Sequence, residues 1–319
     1  MNTVSPISLR MAESLREVHR VAQARGLEAD GVVRAAEHLG SGGQLTPDAY
    51  ADYFEVIRAL QTDPNTQING FLRNIETQTR KASDGVALRV LSMEDCGRVG
   101  ARKIRAHFAS ESLTFGQMRF VPPSAHPRIR RNLKQGIATI KAYAPNAWAD
   151  FSAITTEIVA AYGAPRNRMT FDGCSSLERF GSILINMRRD RSPLIMAETL
   201  VHESAHSLLF ALSCNDHRVL NPASELYESP LRIDPRPLDG IYHAVFVLAR
   251  MHGFLAEVAL HPKSTSAMKA EARKTLKTRY ENFMDGYTVL KDNALLTDIG
   301  QDLLDDAFER VTSAHAATT

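Results

Sequence analysis

His202-Glu203-Ser204-Ala205-His206 sets two imidazoles four residues apart with a carboxylate next to the first. On a helix, positions i and i+4 lie on one face, so two such rings can grip one metal ion. Glu203 sits one step round, where its carboxylate can hydrogen-bond a metal-bound water without being a ligand. Five residues alone are a short pattern, but the context favours it. Thr199–Val201 and Ser204–Ala205 carry no charge, and no proline interrupts the run.

Two histidines leave a site open, and a third protein ligand is expected. The HExxHxxGxxH extension is absent, because Leu209 holds the glycine position and Leu212 the last histidine position. Glu225, Glu228 and Glu257 are the downstream carboxylate candidates. His243 is the preferred one. It lies among Ile241, Tyr242, Ala244 and Val245, where a polar ring needs a partner that a metal would supply. Just before it, the segment Tyr227 to Gly240 holds Arg232 and Arg236 on a proline-stiffened track. A guanidinium suits bidentate carboxylate recognition, and prolines lower the entropy cost of holding it in place.

The runs SSLERFGSILIN, ETLVHESAHSLL and YESPLRIDPRPLDGIYHAVFVLAR together resemble the HExxH-motif proteins of ribosomal-peptide gene clusters. That family is regarded as iron(II)- and 2-oxoglutarate-dependent peptide β-hydroxylases. The likeness spans about Phe171 to Leu260, and SPLRIDPRPLDGIYH is its most specific part. The resemblance implies iron held by His202, His206 and His243, with Arg232 or Arg236 gripping the 2-oxoglutarate carboxylate. It also implies dioxygen as cosubstrate and a precursor peptide as partner. Most non-haem iron oxygenases use two histidines and one carboxylate. Three neutral histidines would leave the iron more positive, which Glu203 can offset.

The principal alternative is a zinc metallopeptidase, with Glu203 as general base and zinc lowering the pKa of its water. A peptidase does not require the arginine–proline track. A third reading is a peptide-binding protein in which a closed metal shell only staples two helices.

Positioning these residues requires a helix from Ser192, a good N-cap, through Pro193 at the first turn to about Ser213. A second apolar helix is expected from Ile241 to about Leu260, after a proline-rich loop over Asn221–Leu238. Met169–Asp172 and Phe180–Met187 read as strands, and Gly181–Met187 is expected to present a sheet edge to a peptide. The first 110 or so residues read as helices, from the spacing of Leu9, Met11, Leu15, Val18 and Val21–Ala22 onward. Helices are also expected from about Ile129 to Tyr143, over Phe151–Tyr162, and over Ser264–Leu290 and Leu295–Ser313. The breaker-rich stretch Phe115–Pro127 suggests a boundary, giving a helical N-terminal region 1–115 and a metal-binding catalytic domain 116–319. The expected class is mainly α (α+β), a helical protein with a small sheet next to a zincin-like HExxH helix.

Composition narrows the partners. A formal charge of +2 over 319 residues favours neither nucleic acid nor a membrane surface. The basic clusters Arg128–Lys134, Arg188–Arg191 and Lys269–Arg279 lack interleaved aromatics and read as solvated faces. Three scattered cysteines, Cys96, Cys174 and Cys214, form no CxxC pair and fit a reducing, cytoplasmic setting. The N-terminus has no signal-peptide core, and apolar runs such as Ala244–Ala249 fall short of the ~20 residues of a membrane span.

Overall fold

Apolar side chains recur at helical spacing through most of the chain, and helices dominate the result. The computed structural model describes residues 6–62, 65–81, 84–109, 118–163, 171–213, 216–229 and 232–319. Its contacts group into two units. The first comprises residues 1–123, 155–188 and 210–214, and the second 124–154, 189–209 and 215–319. The division differs from the boundary expected after residue 115, because the segment 155–188 supplies strands to the N-terminal unit's sheet.

In the first unit, α1 (Pro6–Ala24), α2 (Asp30–Gly40), α3 (Pro47–Thr62), α4 (Asn65–Thr77) and α5 (Met93–Ala109) are helices. The buried stripe of α1 is Ile7, Met11, Ala12, Leu15, Val18 and Ala22, whereas Leu9 is exposed. β1 (Gln44–Leu45) pairs antiparallel with β2 (Thr79–Arg80). A four-stranded sheet is built from β3 (Ala87–Val90), β4 (Glu157–Ala161), β5 (Gly173–Ser175) and β6 (Ser182–Asn186), in the order β3-β4-β6-β5. All neighbours are parallel except β5, which runs antiparallel to β6. Leu91, Ile104, Phe108, Val159 and Leu184 form the centre of this unit's core. Beside it, the fully buried Arg179 bridges Asp48 at 2.7 Å and Glu157 at 2.8 Å. Those carboxylates supply the partners that a buried guanidinium requires.

Three expectations change here. The helix expected over Phe151–Tyr162 ends at Ile154, and Glu157–Ala161 is β4. Every residue of that strand is buried, so after Glu157 it shows a continuous apolar run without alternation, which periodicity cannot tell from a buried helix. β6 lies within the expected Phe180–Met187, but it is flanked by β4 and β5 and is not a sheet edge. The expected strand Met169–Asp172 falls partly outside the described residues, and pairing starts at Gly173.

The second unit begins with α6 (His126–Tyr143), α7 (Pro145–Ile154) and α8 (Pro193–Ser213), the last turn of α8 excepted. Ser192 caps α8 as expected, its Oγ accepting from the Ile195 amide at 3.2 Å and donating to Glu271 at 2.7 Å. At Gly136 of α6 the approach to α8 is close, and a Cβ there would lie 2.6 Å from Met196 Cγ. The proline-rich loop contains a hairpin of β7 (Tyr227–Ser229) and β8 (Arg232–Arg236), with Pro235 tolerated because each strand has only one neighbour in this sheet. Then follow α9 (Leu238–Leu260), α10 (Ser266–Asn293) and α11 (Asp298–Thr318). α9 packs along both α10 and α11. Contrary to the apolar-run expectation, α9 is long and apolar enough to cross a membrane. However, 72% of its apolar window is buried by the protein itself.

Candidate metal centre

One helical turn of α8 carries His202, Glu203 and His206, and α9 carries Asp239, His243 and Met251. The two motif rings approach with their Nε2 atoms 3.4 Å apart and their planes at 70°. Glu203 is 4% exposed, and its Oε1 lies 3.8 Å from His202 Nε2. Among the described residues, His202, Glu203 and His206 are the one group of three or more histidine, cysteine or acidic side chains whose donor atoms all lie within 4.8 Å of one another. His243 of α9 stacks on His206, with centroids 5.9 Å apart and planes at 27°. It adjoins that tight group without belonging to it.

Protonation follows from the neighbours. The Met251 thioether, 3.2 Å from His202 Nδ1, can only accept, so Nδ1 carries the proton and Nε2 keeps its lone pair. Burial holds His206 well below the ordinary imidazole range, and His202 and His243 add to the effect. Burial likewise pushes His243 down to about 4, with Arg218 lowering it further and Asp239 opposing. Neutral imidazole is the form in which a histidine can act as a metal ligand. The donor set fits a borderline divalent ion such as iron(II) or zinc.

Other expected residues fall elsewhere. The exposed Glu225 accepts a hydrogen bond from Tyr227 at 3.0 Å, and Glu228 is exposed on β7. Glu257 accepts the Asn146 amide at 3.1 Å, at the N-terminus of α7, where a carboxylate complements the helix dipole. Arg236 ends β8 opposite Tyr227, with Nε 4.0 Å from Asp234. The backbone of Arg232 pairs with Ser229, but its side chain lies outside the described residues.

The guanidinium at the centre is that of Arg218, which sequence reasoning missed. Its Nη2 lies 2.9 Å from both His243 Nε2 and Asp239 Oδ1. Three contacts from the start of α11 hold its backbone. Val219 bridges Leu296, Thr297 N donates to Arg218 O at 3.1 Å, and Thr297 Oγ1 donates to His217 O at 2.8 Å. Nothing in the spacing of Arg218 announces it, because the residues that place it lie almost 80 positions downstream.

No protein-family model matches this sequence, and no curated protein matches it.

Proposed function

We propose that the protein is an iron(II)- and 2-oxoglutarate-dependent oxygenase that hydroxylates the β-carbon of a residue in a ribosomally made peptide, acting in the cytoplasm. The observation that carries this reading is the stacking of His243 on His206. It joins the most specific segment of the family resemblance to the HExxH turn. Iron(II) with 2-oxoglutarate and dioxygen, when bound, would supply the oxidation that converts a C–H to a C–OH while yielding succinate and carbon dioxide.

The chain's own residues supply the rest. His202 and His206 present neutral nitrogen donors from a single helical turn, and His243 adds one from α9. Met251 fixes the His202 tautomer through Nδ1, as an outer partner does for a ligating histidine. Glu203, buried beside His202, adds negative charge to an otherwise neutral donor set. Arg218 brings a cation to the same place, and a carboxylate-bearing cosubstrate requires one.

The zinc peptidase reading draws support from one feature, the buried Glu203 carboxylate 3.8 Å from His202 Nε2, which suits a general base. Incubation of the reconstituted protein with a precursor peptide, iron(II), 2-oxoglutarate and ascorbate separates the two. The oxygenase yields succinate and a peptide heavier by one oxygen atom. Peptide cleavage without succinate, in protein that copurifies with zinc, establishes the peptidase instead.

A further inference from the structure

A guanidinium carries five N–H donors and no acceptor. The 2.9 Å contact from Arg218 therefore requires that His243 Nε2 be the acceptor, with the ring proton on Nδ1. One lone pair of His243 is thus already engaged by a cation, and it is the lone pair nearest the Arg218–Asp239 ion pair. An imidazole nitrogen has one lone pair, so it cannot accept from Arg218 and bind a metal at once.

We propose that Arg218 and the metal compete for His243 Nε2, and that a carboxylate ligand of the loaded centre receives the displaced guanidinium. The inference rests on the metal-centre reading above and adds a residue and a ligand class to it. Arg218 is well placed for such an exchange. Its side chain is 12% exposed, and Thr297 anchors its backbone on both sides of the Cα. Only the side chain has to turn, and Asp239 remains at hand as a counter-ion. Moving a buried cation away from a partner next to an incoming dication also removes a repulsion. A carboxylate is the matching acceptor, because its two oxygens meet the planar fork with two parallel hydrogen bonds. The carboxylate receiver is thereby assigned to Arg218 ahead of Arg232 and Arg236.

The test uses cobalt(II) as a visible-absorbing metal probe on the full chain, freed of metal by chelation. Arg218→Gln is expected to bind cobalt(II) about tenfold tighter than the parent, the scale of the charged-group hydrogen bond that the metal otherwise has to displace. The same substitution in a His243→Ala background is expected to gain much less, only the relief of charge repulsion, which separates competition for one nitrogen from a general change of charge. At saturating cobalt(II), Arg218→Gln is expected to bind 2-oxoglutarate at least about tenfold more weakly, the scale of a lost hydrogen bond to a charged group. Arg218→Lys, which keeps the charge and loses the fork, should fall between. Unchanged or weaker cobalt(II) binding in a folded Arg218→Gln protein overturns the competition. An equal gain in the His243→Ala background overturns it too. Unaltered 2-oxoglutarate affinity overturns the carboxylate assignment alone. Absence of stoichiometric cobalt(II) binding in the parent and in every variant overturns the metal-centre reading itself.

Discussion

Gly300 lies in the first turn of α11, and its replacement tests how Arg218 is held. A Cβ at this position would lie 2.3 Å from the Arg218 carbonyl oxygen, 3.0 Å from its carbon and 3.2 Å from its Cα. That is about 1 Å inside ordinary contact, and the obstacle is backbone, which no rotamer change relieves. The neighbours resist a shift. The Gly300 carbonyl accepts the Tyr242 hydroxyl at 2.6 Å, its amide donates to Thr297 Oγ1 at 3.1 Å, and Arg218 O accepts Thr297 N. Overpacking of this kind costs about 1–3 kcal/mol, while alanine regains up to about 1 kcal/mol over glycine in a helix. Gly300→Ala should therefore destabilise the protein by about 1–2 kcal/mol. Gly253 in α9 supplies the control, since a Cβ there meets nothing within 4 Å, and Gly253→Ala should stabilise by about 0.5–1 kcal/mol. Urea unfolding of the three proteins measures both effects, and cobalt(II) titration measures the centre in parallel. Because the clash pushes on the residue that holds His243 Nε2, metal affinity in Gly300→Ala should move in the direction expected for Arg218→Gln. A Gly300→Ala protein as stable as the Gly253→Ala control, with parental metal affinity, refutes the account of how Arg218 is placed.

His202→Ala and His206→Ala should each abolish stoichiometric metal binding, and His243→Ala should weaken it, whereas Glu225→Ala should leave it intact; elemental analysis after dialysis decides, and loss only in the glutamate variant would move the third ligand. Burial, with His315 nearby, pushes His252 down to about 4, and neither of its ring nitrogens has a hydrogen-bond partner. The unfolded chain takes this proton near the ordinary 6.5 and the folded protein resists it. The stabilising contribution is therefore whole above about pH 6.5 and is lost as pH falls toward 4, on the order of 2 kcal/mol after solvent screening. His252→Leu should flatten that acid limb in urea midpoints measured against pH, and an unchanged curve would show that His252 is not its source. Gly136→Ala should cost about 1–2 kcal/mol after the helix gain of alanine, because its Cβ would meet Met196 Cγ at 2.6 Å and Leu200 Cδ1 at 3.1 Å; a thermal melt equal to the parent's would contradict the close helix approach.

Local chemistry was legible in the chain. A cap at Ser192, a proline at the first turn and an unbroken apolar stripe specify α8, and helical periodicity then puts His202 and His206 on one face without any tertiary contact. That His243 requires a polar partner was also readable, since an imidazole amid apolar neighbours at the start of a helix cannot stay unsatisfied, but which partner it has was not. The mainly helical class followed from repeats of the same period. Sequence periodicity failed where burial is complete on both faces. Glu157–Ala161 and Ser182–Asn186 are buried throughout, so the first resembled a helix and the second could not be ranked as central or edge. Tertiary structure alone decided the partner of His243. Arg218 reaches it because Thr297 and Leu296, far along the chain, bind the backbone at residues 217–219, and because Gly300 leaves room for the Arg218 carbonyl. Helical and strand periods record the nearest neighbours of a residue, whereas contacts across almost 80 positions leave no period to read.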